Sequence, residues 1–246
     1  MNLGQLRFYA CKTSPLQGVT DILSRFMDLD FVVAPNVLKP RQETELLARR
    51  ALSLLSDMAA EAPVVVDMCC GSGNLATALA VHMPTSRVWA ADLSADATAS
   101  ALENVGRHHV GARVAVRRGD LFDALAPDAL QGRVDMIVCN PPYISSGKLD
   151  GASAELLEDE PREAFDGGPF GLSIHQRVIR EALAYLKPDG LFLCEFGEGQ
   201  ARQIGMLFAR AKAYGTVEFV TDDQGNERVA VARRLPNIPQ DGALSE

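Results

Sequence analysis

The sequence lacks any long apolar run, although 47% of its 246 residues are hydrophobic. No stretch of about eighteen consecutive apolar residues occurs, which excludes a membrane-spanning helix of the usual kind. The first residues have no charged start followed by an apolar segment, so we expect no secretion signal and a cytoplasmic location. A chain of this length is sufficient for one α/β domain with a buried core.

Cysteine is scarce, and its five residues follow no regular spacing. An odd count without a framework of spacings argues for reduced thiols rather than for disulfides. No second pair of cysteine or histidine residues complements the adjacent Cys69 and Cys70 at the spacing of a zinc site. We therefore expect free thiols and no bound metal, the cysteines being Cys11, Cys69, Cys70, Cys139 and Cys194.

An excess of basic residues is also absent. The 24 lysine and arginine residues face 32 aspartate and glutamate residues, which gives a net charge of −8. Proteins that grip a nucleic-acid backbone usually present a basic face, because neutralised phosphates supply much of the affinity. Arg113, Arg117 and Arg118 form one small basic cluster, which we interpret as a solvated strand face. The charge therefore weighs against a nucleic-acid partner.

From residue 64 onward, short apolar runs alternate with amphipathic stretches. This alternation is typical of a parallel sheet with helices on both faces, and we predict a Rossmann-like α/β fold. Five strands are expected at residues 64–68, 87–93, 113–120, 134–140 and 191–196. Helices are expected at residues 74–83, after a cap at Ser94 as far as 105, and at 173–186 and 200–213. Two final runs, 216–221 and 227–235, predict an antiparallel hairpin that completes a seven-stranded, mostly parallel sheet.

The chain before residue 61 has a different pattern. Residues 29–34 fit a strand, and residues 43–58 fit a strongly amphipathic helix. We interpret residues 1–60 as an N-terminal extension whose hairpin and helix cover one edge of the main domain. The main domain is then expected at 61–236, followed by a flexible tail at 237–246.

A glycine-containing turn follows the first predicted strand of the main domain. It begins at Asp67 and runs through Cys69 and Gly71 to Gly73. Glycine lets a ligand approach the backbone, and the helix that follows favours anionic groups at its N-terminus. This segment is therefore a candidate cofactor-binding turn.

Two more acidic positions follow the next two predicted strands. Asp92, with Leu93 beside it, is placed about 20 residues after the turn, where an acid can bind ribose hydroxyls. Asp120 can accept a hydrogen bond from an adenine amino group while the backbone at Leu121 meets the ring. Carboxyl ends of parallel strands share one edge of the sheet, so these residues predict one nucleoside-binding cleft.

Asn140-Pro141-Pro142-Tyr143 ends the fourth predicted strand. The two prolines stop strand pairing, stiffen the loop and remove two donors. The Asn140 side-chain oxygen and the Pro141 carbonyl can then both accept hydrogen bonds from one planar NH₂ group. Tyr143 offers a flat face for that group. The segment thus predicts a site that orients a planar nitrogen for transfer of a methyl group.

These residues resemble the HemK/PrmC family of class I methyltransferases, which methylate a glutamine side-chain nitrogen in translation release factors. The likeness extends to Val-Leu-Lys-Pro-Arg-Gln-Glu-Thr-Glu at 37–45 and Glu-Pro-Arg-Glu-Ala-Phe-Asp-Gly-Gly at 160–168 with Gly171 and Leu172. It also includes Cys-Glu-Phe-Gly at 194–197 with Gln200. The resemblance implies a class I methyltransferase fold and S-adenosylmethionine as the cofactor.

The resemblance also implies a role for each matching residue. Asp67, Gly71 and Gly73 would line the methionine end of the cofactor. Asp92 would bind its ribose, and Asp120 with Leu121 would bind its adenine. Asn140, Pro141 and Tyr143 would hold the acceptor amide.

Two departures from the family pattern affect these expectations. Cys69 stands where the family has the first glycine of the turn. Only about 25 residues precede the matching hairpin, so we expect the family's N-terminal helical domain to be lacking. Arg41 and Glu43 belong to a segment near the mouth of the site and receive no chemical role.

Four functions fit these observations to different degrees. The first is methylation of a glutamine or similar amide in a protein, which the segment at 160–172 favours. The second is methylation of a small-molecule amine or amide, which the short N-terminal portion favours. A DNA or RNA amino methyltransferase would need a basic recognition region. A scaffold that binds cofactor without catalysis would need Asn140 or Tyr143 displaced from the pocket.

Overall fold

The computed structural model describes residues 22–151, 154–157 and 160–236. The expectations for Cys11 and for the tail at 237–246 lie outside these ranges. Within them the chain forms nine strands, which are β1 Ile22–Phe26, β2 Leu29–Val33, β3 Val64–Met68, β4 Arg87–Asp92, β5 Val114–Arg118, β6 Val134–Cys139, β7 Leu186–Glu195, β8 Glu218–Thr221 and β9 Glu227–Arg233.

Seven of these strands form one sheet in the order β5-β4-β3-β6-β7-β9-β8. The first five in this order run parallel, whereas β9 is antiparallel to both β7 and β8. This arrangement confirms the predicted fold class and the C-terminal hairpin. The chain order reverses between β3 and β6, and open α/β sheets bind ligands at such a switch point.

Six α-helices accompany the sheet in the described ranges. They are α1 Thr44–Ser56, α2 Asn74–His82, α3 Ala95–Arg107, α4 Ser146–Leu149, α5 Ser173–Glu181 and α6 Ala201–Ala211. Short 3-10 turns cover Leu121–Asp128, Ala154–Leu157, Arg162–Ala164 and Ala182–Ala184. None of the helices described here has the length and apolarity needed to cross a bilayer.

Hydrophobic residues of the helices pack against both faces of the sheet. One core joins Leu47 of α1 and Leu79 of α2 to the sheet, and the other joins Val178 of α5 and Ile204 of α6 to it. The strands between the two cores are rich in β-branched residues and buried on both sides, as is usual for parallel sheets. Helices on both faces were predicted, and the structure confirms them.

The prediction was wrong at the junction of α5 and β7. A helix was expected over 173–186, but α5 ends at Glu181 and β7 already begins at Leu186. Leu186 pairs with Val134, and the next pair joins Leu191 to Met136. The expected turn at 187–190 is therefore a bulge within a longer strand. Proline and glycine interrupt the pairing there without ending the strand.

The N-terminal helix packs on one face of the sheet and reaches its edge strand. α1 contacts α2, β7 and β9, and its Arg50 forms an ion pair with Glu218 of β8. The hairpin of β1 and β2 is antiparallel, and β2 rests on α3. All four described cysteines, Cys69, Cys70, Cys139 and Cys194, are free.

Asn104 fastens the hairpin to the main domain. Its side chain is completely buried on α3 and accepts a hydrogen bond from the Val32 nitrogen at 2.9 Å. The same amide donates to the Val32 oxygen at 2.8 Å and to the Ser72 oxygen at 2.9 Å. One side chain therefore joins the N-terminal hairpin to the glycine-containing turn.

We expect Asn104→Ala to lower the free energy of unfolding by about 1–3 kcal/mol, because buried backbone groups lose their partners. Urea denaturation followed by circular dichroism measures the change. Glu103→Ala, at an exposed position of the same helix, is the matched control and should leave the midpoint unchanged. Equal midpoints for the two variants would contradict a fastening role for Asn104.

Candidate active site

The predicted site residues follow strands of the parallel sheet and meet at its carboxyl edge. The glycine-containing turn follows β3, Asp92 ends β4, Asp120 follows β5 and Asn140 follows β6. A cleft at this edge joins three segments that are distant in sequence. It is lined by Leu38, Lys39, Pro40, Arg41, Thr44, Cys69, Cys70, Gly71, Asn74, Leu75 and Asn140.

The turn after β3 has three residues with left-handed backbone. Gly71 and Gly73 have φ of 53° and 75°, and Cys69 has φ of 62°. Left-handed conformation costs a residue with a side chain roughly 1–2 kcal/mol, so Cys69 keeps a backbone that suits glycine at some expense. A Cβ at Gly73 would lie 2.9 Å from the Cβ of Ala101, which lets α2 pack closely on α3.

Asp67 is fully buried at the end of β3. One carboxyl oxygen, Oδ2, accepts a hydrogen bond from the Ala76 nitrogen at 2.9 Å. The other, Oδ1, has no partner among the described residues. Burial raises the pKa of this carboxyl to about 8, against the lowering effect of the Ala76 bond. A buried unpartnered oxygen favours a cationic donor, because a polar group left without a bond is costly.

Asp92 is held by two backbone donors. Gly71 donates to its Oδ2 at 2.9 Å and Ser94 donates to its Oδ1 at 2.9 Å. Burial raises the pKa of the carboxyl, and the bonds from Ser94 and Gly71 counteract that rise. Leu93 follows with its side chain largely exposed. The two bonds fix the carboxylate beside the glycine-containing turn, and each oxygen keeps a lone pair for a hydroxyl.

The third cluster contains a contact that the sequence did not predict. Asp120 forms a two-pronged ion pair with Arg177 of α5, with N–O distances of 3.0 and 3.1 Å. Arg177 was missed because it lies 57 residues away and its helical pattern gave no signal. Leu121 is buried and has a left-handed backbone with φ of 46°. An adenine amino group that bonds to the Asp120 carboxylate would therefore share it with the Arg177 guanidinium.

The Asn140 side chain is oriented by the N-terminal helix. Its Nδ2 donates to the Oγ1 of Thr44 at 3.0 Å, and Thr44 is buried at the start of α1. Because the nitrogen makes this bond, the carboxamide oxygen lies on the other branch of the planar group. The amide thus offers an acceptor rather than a donor away from Thr44.

Tyr143 is held at both its hydroxyl and its backbone. The hydroxyl donates to Glu195 Oε1 at 3.2 Å, and the carbonyl oxygen accepts from Gln200 Nε2 at 3.0 Å. Gln200 Oε1 in turn accepts from the Gly197 nitrogen at 2.8 Å. Burial and the neighbouring Glu195 raise the pKa of the phenol, so Tyr143 stays neutral and does not act as a base near neutral pH.

Glu195 is a buried acid that sequence analysis left without a role. It lies at the end of β7 and is 1% exposed. Burial raises its pKa to about 7, while Thr44, Arg228 and Tyr143 lower it. The signal that could have revealed it is a glutamate at the end of an otherwise apolar strand, since charged groups are rarely buried without a partner.

The loop after β6 is braced by the segment at 160–172. The Ile144 nitrogen donates to the Phe165 oxygen at 2.9 Å, and the Gly167 nitrogen donates to the Ile144 oxygen at 2.8 Å. A Cβ at Gly171 would lie 2.3 Å from the backbone carbonyl oxygen of Tyr143. Any residue with a side chain would clash with this oxygen, so a glycine is needed at this position.

A carboxylate completes the bracing. Asp166 accepts from Ser146 Oγ at 2.7 Å, from the Gly168 nitrogen at 2.9 Å and from Arg162 Nε at 3.0 Å. Bonds from Ser146 and Gly168 lower the pKa of this carboxyl. Asp166 therefore links Ser146, which follows the acceptor loop, to Arg162 and Gly168 of the segment at 160–172.

Glu160 ties the same segment to the N-terminal portion. It forms an ion pair with Arg41 and accepts a hydrogen bond from the Lys39 nitrogen at 2.7 Å. Arg41 thus has a structural partner at the mouth of the cleft. The segments at 37–45 and 160–168, which were singled out only by their resemblance to the family, are therefore in direct contact.

Comparisons with known proteins identify the class to which this fold belongs. A sequence profile described as the methyltransferase small domain matches residues 51–170. A methyltransferase of known structure from Pyrococcus furiosus superimposes with a TM-score of 0.58 at 17% identity, covering 84% of this chain and 88% of that one. The fold is that of the class I methyltransferases.

Two relatives identify the family. The release factor glutamine methyltransferase of Geobacter sulfurreducens is 39% identical over 90% of this chain and 74% of its own length. That of Moorella thermoacetica is 38% identical over 89% of this chain and 75% of its own length. The chain belongs to the HemK/PrmC family, and it is an N-methyltransferase that uses S-adenosylmethionine as its methyl donor.

We expect Asp166→Ala to lower the free energy of unfolding by about 1–3 kcal/mol at pH 7, because three donors lose their acceptor. The folded pKa of Asp166 is below its ordinary value. Its contribution is therefore present above pH 3.8 and is lost as the pH falls through the folded pKa. Urea denaturation at several pH values should show the two proteins converging in acid.

Asp150→Ala is the matched control for this measurement. The Asp150 side chain is 63% exposed, and in the described ranges its carboxylate bonds only to Arg162, at 2.7 Å. Exposed ion pairs contribute little, so its midpoint should stay near that of the unmodified protein. Equal stability of Asp166→Ala and Asp150→Ala would show that Asp166 does not brace the loop.

Proposed function

We propose that this enzyme methylates the side-chain amide nitrogen of a glutamine in a protein substrate. The observation that carries the proposal is the hydrogen bond from Asn140 Nδ2 to Thr44, which leaves the Asn140 oxygen to accept from the substrate amide. The Pro141 carbonyl supplies the second acceptor. Two acceptors side by side fit an NH₂ group, which has two hydrogens to donate.

The described residues fit the cofactor at three points, and we assign them accordingly. Asp67, with its unpartnered Oδ1, is assigned to the cationic methionine end together with Cys69, Gly71 and Gly73 of the turn. Asp92 and Leu93 are assigned to the ribose. Asp120 and Leu121 are assigned to the adenine, with Arg177 sharing the Asp120 carboxylate.

The reaction requires the protein mainly to align the acceptor nitrogen with the methyl group of the donor. S-adenosylmethionine supplies an electrophilic methyl group on a sulfonium when it is bound. Asn140 and Pro141 would hold the acceptor nitrogen, and Tyr143 would confine its plane, so that the nitrogen faces the donor site. The acceptor nitrogen would gain the methyl group that the donor loses, and its own proton would go to solvent. Alignment of the two partners supplies much of the rate.

Two observations support a protein as the partner, namely the names of the relatives and the bonds of the basic residues. Both relatives named above are release factor glutamine methyltransferases, which supports a translation release factor as the substrate. The three arginines of the small basic cluster each bond to another group of the protein. Arg117 pairs with Asp128, Arg113 donates to the Ser86 oxygen, and Arg118 donates to the Leu93 oxygen.

We expect Asn140→Ala and Asp92→Ala to fail in opposite ways. Asn140→Ala should abolish methyl transfer while its affinity for S-adenosylmethionine stays within a few-fold, because it loses the acceptor contact and the bond to Thr44 but leaves Asp67 and Asp92 in place. Asp92→Ala should weaken cofactor binding by roughly 10–100-fold, the equivalent of one charge-assisted hydrogen bond. Isothermal titration calorimetry and a transfer assay separate the two effects.

The control for this pair is Asp96→Ala, which removes an exposed acid four residues after Asp92. It should change neither binding nor transfer. Full activity of Asn140→Ala would refute the acceptor assignment. Unchanged affinity of Asp92→Ala would move the ribose contact elsewhere.

The substrate class is tested by transfer of tritium from labelled S-adenosylmethionine. Purified release factor and a cell extract separated into protein, nucleic-acid and small-molecule fractions serve as acceptors. We expect label in protein, and peptide mass spectrometry should place one added methyl group on a glutamine. Label confined to the small-molecule fraction would favour a small-molecule methyltransferase and refute the proposal.

A further inference from the structure

A buried chain of polar groups lies behind the acceptor loop. Asn140 Nδ2 donates to Thr44 Oγ1 at 3.0 Å. The Thr44 hydroxyl is also a hydrogen-bond donor that lowers the pKa of the Glu195 carboxyl. The Tyr143 hydroxyl donates to the same carboxyl at 3.2 Å. Both side chains that flank the acceptor position therefore connect to one acid, Glu195, through hydroxyl groups.

The charge of Glu195 decides which group donates and which accepts in each of these hydrogen bonds. A hydroxyl can donate or accept, but an ionised carboxylate can only accept. While Glu195 is ionised, the Thr44 hydroxyl directs its hydrogen toward the carboxylate and its lone pair toward Asn140. Asn140 must then present its nitrogen to Thr44 and its oxygen to the substrate.

Protonation of Glu195 removes this constraint. A neutral carboxyl can donate to Thr44 Oγ1, whose own hydrogen is then free to bond the Asn140 oxygen. The carboxamide would then turn over and present two hydrogens to an NH₂ group that also brings hydrogens. Glu195 Oε2, which has no hydrogen-bond partner in the described ranges, is available for such a bond.

We propose that Glu195 is a positioning residue that, through Thr44, sets the orientation of the Asn140 amide and so switches the site between a form that accepts substrate and one that does not. This inference rests on the proposed role of Asn140. It adds that the enzyme is active in the state in which Glu195 is ionised.

The groups around Glu195 place this change near neutral pH. The acid faces Arg228 of β9, the Tyr143 phenol, the Cys194 thiol and Glu43 before α1. From α5, His175 Nε2 donates to the Glu195 backbone oxygen at 2.8 Å, and burial lowers the pKa of that imidazole to about 4, so it stays neutral. Burial raises the pKa of Glu195 to about 7. Transfer is therefore expected to fall as the pH drops through about 7.

The first experiment measures the amide itself and needs no acceptor. The side-chain ¹⁵N and ¹H resonances of Asn140 are followed from pH 5.5 to pH 8.5 in the full chain, which spans the pKa of about 7. We expect them to titrate with the pKa of Glu195 and to lose that titration in Glu195→Gln. Resonances that do not respond to pH, or that titrate equally in Glu195→Gln, would overturn the proposal even if the enzyme methylates proteins.

The second experiment measures kcat with release factor at saturating S-adenosylmethionine, so that protonation of Asp67 does not distort the profile. We expect Glu195→Gln and Thr44→Val to lower kcat by about 100-fold, the cost of a misplaced acceptor, and to remove the inflection near pH 7. Thr44→Ser should restore most of the rate lost in Thr44→Val, because it returns the hydroxyl.

The control is Thr77→Val, at a buried threonine of α2 whose hydroxyl has no partner in the described part of the chain. Its kcat and pH profile should match those of the unmodified enzyme. Cofactor affinity and circular dichroism show whether each variant is folded. An unchanged pH inflection in Glu195→Gln would overturn the proposal, whereas absence of transfer in the unmodified enzyme would refute only the proposed function.

Discussion

The acceptor loop cannot hold itself in place. Pro141 and Pro142 have no N–H groups, so the chain after β6 leaves the sheet without the hydrogen bonds that fix an ordinary strand end. Its position is therefore imposed from outside, by Thr44 on the Asn140 amide, by Gln200 on the Tyr143 carbonyl and by the segment around Asp166. Residues from the start of α1, from the start of α6 and from the segment at 160–172 thus keep this short loop in one conformation.

The sequence predicted the sheet well because its signals are local. Apolar runs rich in valine define β3 and β6, and the hairpin of β8 and β9 is separated by turn residues. The bulge at 187–190 was misplaced since proline and glycine give the same signal in a turn and in an interrupted strand. The first and last residues of the other predicted helices and strands differ from expectation by a few positions.

The polar contacts of the site were harder to predict, because they join residues that are far apart in the chain. Thr44 is 96 residues from Asn140, and Arg177 is 57 residues from Asp120. Within its own helix, Thr44 follows an amphipathic pattern and gives no sign of a partner. The N-terminal extension, expected only to cover the main domain, supplies this residue to the site.

The buried carboxyl of Asp67 has one consequence beyond the geometry of the turn. With a pKa of about 8, it is largely protonated in the free enzyme at neutral pH. A cation docking beside it favours the ionised form, so that docking expels a proton into solution. Affinity for the methyl donor should consequently strengthen as the solution becomes more alkaline and level off above pH 8.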